Sequence, residues 1–434
     1  MTAGKNSVRP DARVLVVGTT TDYIHWIRLN CSGRTLFLTD PRLRAVAREP
    51  APLPEEELLW DLSDHEGARR TVEKHLALHH LRLAGIACFD CESMELAAVL
   101  ADCFHLPYSG QKAIGHCRNK YLTKKLWQNN RLETPAAILV RSAQEVLRFQ
   151  RALNAPVVLK PVSGSGSELI FVCDNEETCR TGFHQVQEGL RRRLSHRLYA
   201  DLDQDGPRIL AQALIDGDEY SCDFIVREGR AKVIRLTRKI KSAGAPFGTA
   251  RGYLLSASLP PGLDADRLQR TLYRCAAALG IVHAVCMLDF IMAGDRMVLL
   301  ELAPRPGGDC LPHLLRRAWN LDILKLLVDF AGNEPLPTIL CDRTVPVVGL
   351  RIHARQAGIL RHIDAAALKK DPRVREILLT REPGHRIHLP PDDYESWLLG
   401  HVIFQPDGPA GIEHQCNELL ERIGVVMEEE GGSY

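Results

Sequence analysis

The 434 residues are too many for one ordinary hydrophobic core, and a chain of this length predicts roughly three domains of ~150 residues each. Hydrophobic residues make up 45% of the chain and charged residues 25%, as in a typical globular protein. The formal net charge is +1, so no field of one sign is available to attract nucleic acid or an anionic membrane.

The first hundred residues alternate short apolar runs with helical patterns. Strands are predicted at Val14–Val17, Thr35–Leu38 and Ile86–Phe89, and a helix at Glu92–Phe104. Because short strands separated by helices need crossover connections, the pattern indicates a parallel sheet built from βαβ units. The first strand closes at Gly18 without a GxGxxG loop, which disfavours binding of NAD.

The rest of the chain combines helices with strands that read as hairpins. An amphipathic helix is predicted at Asn119–Asn130, after a boundary near Pro107–Gly110. Two strands, Val157–Lys160 and Leu169–Cys173, flank a loop rich in glycine and serine. Further strands are predicted at Arg208–Ala213, Ser221–Arg227, Lys232–Leu236, Val285–Met292 and Met297–Leu302, and further helices at Ala265–Leu279, His313–Phe330 and Ile412–Ile423.

Cysteine usage and the N-terminus bear on the cellular compartment. The 13 cysteines are many for a disulfide framework in a long chain, and free thiols in a reducing cytoplasm fit them better. Met1–Pro10 is polar and lacks the apolar core of a secretory signal. Cys88 and Cys91 form a single CxxC without a second pair at zinc spacing, which disfavours a metal site. We therefore expect a cytoplasmic protein.

A lysine followed by a Gly/Ser loop is the first feature that predicts chemistry. Lys160 ends a strand, and the loop after it contains Ser163, Gly164, Ser165, Gly166 and Ser167. Glycines let backbone N–H groups approach phosphate oxygens, serine hydroxyls add donors, and the lysine supplies a point charge. The lysine precedes the glycines, so the loop is not a Walker A motif. Taken alone, the segment is equally well explained as a flexible turn.

Two carboxylates and an arginine form the second feature. Asp289 and Glu301 lie on consecutive predicted strands, where they can face one site, and carboxylate oxygens suit Mg²⁺ that bridges nucleotide phosphates. Arg305 follows Glu301 closely, and its planar fork can clamp a carboxylate or a phosphate. Gly307 and Gly308 let the backbone turn tightly beside a ligand. Either acid alone is more often an ordinary ion-paired carboxylate, but the combination predicts a nucleotide site.

The order of these features resembles the ATP-grasp superfamily. The likeness is strongest from Ser109 to Phe330, and the Arg305-Pro306-Gly307-Gly308 ending with the last hundred residues is similar to L-amino-acid ligases. The resemblance implies a hinge at Ile209–Ser221 that holds adenine. In this hinge, Gln212 replaces the usual glutamate, Ala213 and Leu214 offer backbone contacts, and Glu219 faces the ribose or the active site. The resemblance implies that ATP is bound by Lys120, Lys160, Ser163, Gly164, Ser165, Gly166, Ser167, Gln212, Ala213, Leu214 and Glu219.

The same resemblance implies roles for the metal, the catalytic groups and the substrate pocket. Mg²⁺, with Mn²⁺ as an alternative ion, is expected on Asp289 and Glu301, although Asp289 stands where glutamate is usual and Ala303 where asparagine is common. The catalytic residues implied are Arg305, Glu301 and Lys239. Of these, Lys239 would make a further contact with phosphate. The candidate substrate-pocket residues are His283, Gly307, Gly308 and Asp309.

The resemblance implies an α/β protein with an ATP-grasp fold. A Rossmann-like, doubly wound pre-ATP-grasp domain is expected at residues 1–108 and linking helices at 109–133. A small lid domain is expected at 134–208 and the catalytic domain at 209–332, after which residues 333–434 form a mixed subdomain that completes the catalytic domain.

The function implied is that of an ATP-dependent carboxylate–amine ligase. Such an enzyme forms an amide or peptide bond through an acyl phosphate and releases ADP and phosphate. Its partners would be a small carboxylate, such as an amino acid, and an amine, without nucleic acid or membrane; a homodimer is compatible with this interpretation.

Two alternatives remain open. One is another ATP-grasp enzyme, such as a carboxylase or a phosphate-transferring synthetase, and the other is a non-catalytic nucleotide-binding protein. Biotin carboxylases follow their arginine with Gln-Val-Glu-His, whereas this chain has Pro306-Gly307-Gly308-Asp309, which argues against bicarbonate as the substrate.

Overall fold

A computed structural model describes residues 11–194, 196–200, 208–241, 245–256, 258–336, 345–408 and 410–428. Met1–Pro10, on which the expectation about a secretory signal rests, lies outside the described residues. Within the described ranges, no helix combines the length and the apolar character needed to cross a membrane. The cysteines at described positions are free thiols, and most of them are buried.

The N-terminal part of the chain forms a parallel sheet. Its elements are β1 (Ala12–Val17), α1 (Thr21–Asn30), β2 (Thr35–Thr39), α2 (Pro41–Ala45), β3 (Glu57–Leu59), α3 (His65–Leu78), β4 (Arg82–Ala87) and α4 (Met94–Cys103). The strand order is β3-β2-β1-β4, and each neighbouring pair is parallel. Consequently the loops that follow β1, β2 and β4 emerge at the same edge of the sheet. The sequence did not predict β3, because three residues carry too little periodicity.

The next segment contains two helices and a smaller antiparallel sheet. Its elements are α5 (Gln111–Arg118), α6 (Lys120–Asn129), β5 (Ala137–Val140), α7 (Ala143–Leu153), β6 (Val157–Pro161), β7 (Phe171–Cys173), α8 (Glu176–Arg192), α9 (Arg197–Ala200) and β8 (Ile209–Ala213). The strand order is β5-β8-β6-β7. Helices α7 and α8 supply Val146, Phe183 and Val186 to the buried core of this unit. The Gly/Ser loop connects β6 to β7 and therefore lies at a hairpin tip, as the sequence predicted.

The remaining chain builds a large antiparallel sheet. Its elements are β9 (Asp218–Arg227), β10 (Arg230–Lys241), β11 (Ala250–Leu255), α10 (Ala265–Ala278), β12 (Ala284–Ala293), β13 (Arg296–Ala303), α11 (Leu311–Trp319), α12 (Ile323–Ala331), β14 (Val347–His353), β15 (Gly358–Asp364), α13 (Ala366–Lys369), β16 (Val374–Leu379), β17 (Arg386–Ile387), β18 (Leu398–Phe404), α14 (Ile412–Glu421) and β19 (Gly424–Met427). The order in the large sheet is β13-β12-β9-β10-β11-β14-β18-β16, and β17-β15-β19 form a smaller one. Strands from the last hundred residues thus extend the sheet that carries Asp289 and Glu301.

The single helix predicted at His313–Phe330 is wrong, because the structure contains two helices there. Asn320 has a φ of 51°, a left-handed conformation that asparagine tolerates, and it ends α11. Asp322 then caps α12 by accepting a hydrogen bond from the Lys325 backbone. The apolar pattern continues through this break, so periodicity alone did not reveal it.

A buried apolar cluster joins the N-terminal sheet to these two helices. Ile24 and Ile27 of α1 pack with Leu314 of α11 and with Leu327 and Phe330 of α12. This contact holds the loop edge of the parallel sheet beside the segment that follows Glu301. The α/β ATP-grasp fold class is consistent with this layering; the domain boundaries given above remain a prediction.

Candidate active site

Three adjoining cavities lie between the sheets. The lid cavity, of about 450 Å³, lies between the small sheet and the large one and contains Lys160 and Gln212. The central cavity, of about 300 Å³, shares Asp289 and Glu301 with it. The outer cavity, of about 790 Å³, meets the central cavity at Arg305. Most of the sequence-predicted residues therefore converge on one continuous space.

The lid cavity combines apolar walls with a charged end. Val158 of the small sheet and Leu214, which follows β8, line the cavity together with Ile291 and Leu300 of the large sheet. Lysines and carboxylates line the opposite end. A flat base fits between apolar walls, and phosphates fit among lysines, so the cavity suits a nucleotide.

Two of the predicted lysines lie close to Glu301. The Nζ of Lys120 donates to the carbonyl oxygen of Gly164 at 2.6 Å and lies 3.8 Å from Glu301 Oε2. Lys160 is only 6% exposed. Burial lowers the pKa of Lys160 to about 8, an effect that Glu301 opposes and Lys120 reinforces. A phosphate arriving here would meet two cations whose mutual repulsion it relieves.

The predicted metal carboxylates are direct neighbours in the large sheet. Asp289 of β12 is the register partner of Glu301 of β13, so both side chains project from the same face. The Nζ of Lys239 lies 2.7 Å from Asp289 Oδ2 and 2.6 Å from Glu219 Oε1. Burial by itself would raise the pKa of Glu301, but the charges of Lys120, Lys160 and Lys239 hold it below its usual range. Burial raises the pKa of Asp289, which Lys239 opposes and Glu301 reinforces.

One buried oxygen at this point has no hydrogen-bond partner. Asp289 Oδ1 is shielded from solvent and is unpaired among the described residues. A buried carboxylate oxygen without a donor is costly, and a divalent cation would satisfy it. The described ranges hold no cluster of three or more potential metal-binding side chains. Asp289 and Glu301 thus fit Mg²⁺ only if phosphate or water oxygens complete the shell.

The backbone of the Gly/Ser loop has positive φ angles, which favour glycine. Gly164 has a φ of +140°, and a Cβ there would lie 3.2 Å from the ring of Tyr199. The hydroxyl of Ser163 donates to the carbonyl of Leu198 at 3.1 Å, which ties the start of the loop to α9. Ser165 lines all three cavities. Gly166 and Ser167 line the central cavity.

Arg305 lies on the other side of the central cavity from the lysines. Its Nε donates to the Sγ of Cys91 at 3.1 Å and its Nη1 donates to the carbonyl of Pro306. Arg305 lines the central and outer cavities but not the lid cavity. This placement favours contact with an acyl group rather than with a nucleotide.

A buried ion pair positions the glycines after Arg305. Arg235 and Asp223 are both fully buried and lie 2.8 Å apart. Asp223 Oδ1 also accepts the backbone N–H of Gly307 at 3.0 Å. A Cβ on Gly307 would lie 2.3 Å from Arg235, so glycine is required by this close approach. Gly307 lines none of the three cavities, whereas Gly308 and Asp309 line two of them.

The structure does not bring His283 or Ala213 to the cavities, and Gly307, a third predicted residue, does not line them either. The ring of His283 stacks on Phe330 with centroids 4.4 Å apart, and His283 lines no cavity of the three. Ala213 also lies outside them, and its backbone N–H already donates to Ala136. Leu214 lines the lid cavity, but its N–H donates to Pro156. A contact from this hinge pair would therefore have to use carbonyl oxygens.

Sequence reasoning missed several residues at the site. Lys124 is 1% exposed and donates to the carbonyl of Leu300 at 3.0 Å; its spacing from Lys120 on one helix face was an available signal. Arg351 Nε lies 2.9 Å from Asp309 Oδ2 in the central cavity. Arg351 carried no local motif, and the CxxC that contains Cys91 raised the question of a metal site rather than of a contact with Arg305.

Comparison with known proteins agrees with this geometry. Residues 153–313 match the family model of the ATP-grasp domain. This segment is therefore similar to an ATP-grasp domain. The structure of an L-amino acid ligase from Bacillus licheniformis superposes with a TM-score of 0.78 at 19% identity, covering 97% of this chain and 100% of that one. The ATP-grasp fold predicted from the sequence is therefore confirmed.

Two curated relatives also contain sequence similar to this chain. Carnosine synthase 1 of Gallus gallus is 29% identical over 88% of this chain and 42% of its own length. A D-alanine–D-alanine ligase of Acidovorax ebreus is 28% identical over 46% of this chain and 58% of its own length. The chain thus spans about half the length of these two relatives.

Lys160 gives a prediction about nucleotide binding to the ATP-grasp domain. Lys160→Ala is expected to weaken a non-hydrolysable ATP analogue by about 10- to 100-fold, because a charge-assisted phosphate contact is lost. Since the pKa of Lys160 is about 8, its cationic fraction falls as the pH rises through that value. Wild-type affinity should therefore weaken above pH 8, and Lys160→Arg should flatten this dependence because the guanidinium stays charged. Calorimetric titration from acid to alkaline pH measures both effects.

The matched control is Lys232→Ala, which removes an exposed lysine that lies outside the cavities. Its nucleotide affinity should equal that of the wild type. An unchanged affinity in Lys160→Ala would remove Lys160 from the phosphate site.

Proposed function

We propose that the protein is an ATP-dependent carboxylate–amine ligase that forms an amide bond through an acyl phosphate. One observation carries the proposal: the central cavity lies between the Asp289–Glu301 pair, with its lysines, and the guanidinium of Arg305. The first group suits the terminal phosphates of ATP, and the second suits an activated acyl group. The names of the relatives, two amino acid ligases and carnosine synthase, support the same reaction class.

In the first step, a carboxylate oxygen attacks the γ-phosphorus of ATP, and two anions must approach each other. Lys120 and Lys160 offset this repulsion, because both lie beside Glu301. Asp289 and Glu301 would hold Mg²⁺, which neutralises charge on the phosphates when bound. Lys239, anchored by Asp289 and Glu219, keeps the acids oriented.

In the second step, the amine attacks the acyl carbon and phosphate leaves. Arg305 lies where it can donate to the oxygen of the tetrahedral intermediate. Cys91, as acceptor of the Arg305 Nε–H, helps to hold the guanidinium plane in place. The Gly/Ser loop borders the same cavity and restricts the access of water to the mixed anhydride.

Several finer points belong to this proposal. The substrates would be a small carboxylate, such as an amino acid, and a small amine. The ion would be Mg²⁺, with Mn²⁺ as an alternative, and the protein would work in the cytoplasm, where a homodimer is compatible with the geometry. A carboxylase is disfavoured, because Pro306 and Gly307 stand where biotin carboxylases place part of their Gln-Val-Glu-His segment.

The nucleotide product tests the proposal. Incubation with ATP, Mg²⁺ and paired amino acids should release ADP and phosphate, slowly with an acid alone and faster once an amine is added. Coupled absorbance reads ADP, and mass spectrometry reads the condensed product. AMP and pyrophosphate as the main products would overturn the mechanism, and a requirement for bicarbonate would favour a carboxylase. Absence of any ATP turnover across the screen would favour a non-catalytic nucleotide-binding protein.

A further inference from the structure

The outer cavity is formed by segments that are far apart in the sequence. One wall comes from the loops after β1, β2 and β4, including Thr19, Asp40 and Glu92. The facing wall comes from β16 and β18, through residues such as Leu378 and His401. At about 790 Å³ it is the largest of the three cavities and exceeds the volume of a single small amino acid.

This cavity opens onto the proposed reaction centre from the side opposite the nucleotide. It shares five residues with the central cavity: Cys91, Ser165, Arg305, Gly308 and Asp309. The hydroxyl of Tyr23, from α1, would lie 3.9 Å from a Cβ at Gly308. A molecule in the outer cavity can therefore reach the acyl group beside Arg305 without crossing the ATP site.

The lining of the outer cavity is predominantly acidic. Five carboxylates line it among the described residues: Asp22, Asp40, Asp90, Glu92 and Asp309. The basic side chains are three arginines: Arg42, Arg197 and Arg305. Burial raises the pKa of the Asp90 carboxyl to about 6, and the nearby negative charge of Glu92 adds to that shift.

All three arginines already have partners of their own, and those of Arg305 are Cys91 and the carbonyl of Pro306. Arg42 lies 3.2 Å from Asp61, which does not line the cavity, and it also lies 3.7 Å from Asp40. Arg197 donates to the backbone carbonyl of Glu92 and to the hydroxyl of Ser93. The remaining arginine is the catalytic candidate Arg305. Asp309 is itself paired with Arg351, which does not line the outer cavity, so the excess of negative charge comes from the four other carboxylates, which outnumber Arg197 and Arg305.

A second, independent feature points to a ligand with a polar group. His401 is 5% exposed and lines the outer cavity, and its Nε2 has no partner among the described residues. Burial lowers the pKa of His401 to about 3, and the adjacent His313 adds to the shift, so the imidazole is neutral. A neutral imidazole nitrogen can accept a hydrogen bond from an ammonium group.

On the basis of the function proposed above, we propose that the outer cavity binds the amine substrate, and that this substrate is an amine with a net positive charge, such as a basic amino acid. Asp22, Asp40 and Glu92 face the cation, while its reacting nitrogen lies beside Arg305. Acidic amines would be repelled by the same lining.

The step balances when the reacting ammonium group first loses a proton, so that a neutral amine attacks. A bond forms between the amine nitrogen and the acyl carbon, and the bond from that carbon to the phosphate oxygen breaks. Of the three protons of the ammonium group, one stays on the amide, one leaves with phosphate as HPO₄²⁻ and one passes to solvent. No oxidant or further reactant is required.

An amine series and a charge-removing variant test the inference. The three amines are L-lysine, L-norleucine and L-2-aminoadipate, which have similar length but differ in net charge. The acid substrate is chosen first, as the acid that gives the most hydroxamate when the enzyme is supplied with ATP and hydroxylamine. Each amine is then supplied together with this acid. In the wild type, kcat/KM should fall from L-lysine to L-norleucine by about tenfold, and L-2-aminoadipate should be poorer still. In Asp40→Asn, the KM for L-lysine should rise about threefold to tenfold, with little change for L-norleucine.

A matched variant and a neutral nucleophile serve as controls. Asp40 caps α2 and Asp64 caps α3, so Asp64→Asn removes the same charge from an equivalent cap outside the outer cavity. Hydroxylamine is small and largely neutral at pH 7, so the hydroxamate yield reports formation of the acyl phosphate and does not depend on binding in the outer cavity. This yield should be equal in the wild type, Asp40→Asn and Asp64→Asn.

The outcomes separate the two claims. Equal use of the three amines, or an Asp40→Asn variant that behaves like Asp64→Asn towards L-lysine, would overturn the inference while leaving the ligase proposal intact. Absence of hydroxamate and of ADP release in the wild type with every acid would overturn the ligase proposal itself. Thermal unfolding of both variants verifies that a changed KM does not reflect partial unfolding.

Discussion

Glu301→Gln is expected to lower the rate of ADP formation by about 10³-fold or more while the fold is retained. Glutamine keeps the shape of the side chain but removes the charge that Lys120 faces at 3.8 Å. It also removes one of the two carboxylates that fit Mg²⁺. Because the pKa of Glu301 is held below its usual range, this charge is present throughout the neutral range in the wild type.

The measurement is steady-state ADP release across a range of Mg²⁺ concentrations, accompanied by thermal unfolding. The control is Glu133→Gln. Glu133 pairs with Arg296, which lies on β13 as Glu301 does, but Glu133 is outside the cavities. Glu133→Gln should keep wild-type activity. A Glu301→Gln variant with full Mg²⁺-dependent turnover would contradict the shared metal site with Asp289.

Arg305→Lys is expected to reduce turnover by about 10²-fold and to leave nucleotide affinity near that of the wild type. Lysine keeps the positive charge but loses the planar fork and the Nε–H that Cys91 accepts. The effect should fall on amide formation, because Arg305 lines the central and outer cavities and not the lid cavity.

Separate measurements of analogue binding and of single-turnover amide formation distinguish these steps. Arg296→Lys, on the surface of the large sheet, is the matched substitution and should change neither quantity. If Arg305→Lys weakened nucleotide binding as much as it slowed turnover, Arg305 would belong with the phosphates rather than with the acyl group.

Local sequence determined much of the fold and the nucleotide end of the site. Strand β6 was readable from its apolar run, and the Gly/Ser loop after it from composition, because both depend on residues adjacent in the chain. Asp289 and Glu301 could be placed on one face because they lie on strands joined by the short Gly294-Asp295 turn, which nearly fixes their register.

The acceptor end of the site depended on tertiary structure. Cys91 meets Arg305 across 214 positions of sequence, and Arg351 meets Asp309 from a strand of the last hundred residues. Neither pairing has a periodic or motif signal, since each depends on how the N-terminal sheet and the C-terminal strands pack on α11 and α12. For the same reason His283, which sequence placed in the pocket, packs instead against Phe330.

The sequence by itself thus determined the ATP-grasp chemistry that can be read from neighbouring residues: the lysines, the flexible loop and the paired carboxylates. Only the tertiary structure decided which side chains line the outer cavity, where we propose that the amine binds. One wall of the outer cavity comes from three loops of the parallel sheet and contains Asp40. The other comes from two distant strands and contains His401. Contacts between such remote segments follow from the packing of whole elements, and local propensity carries no record of that packing.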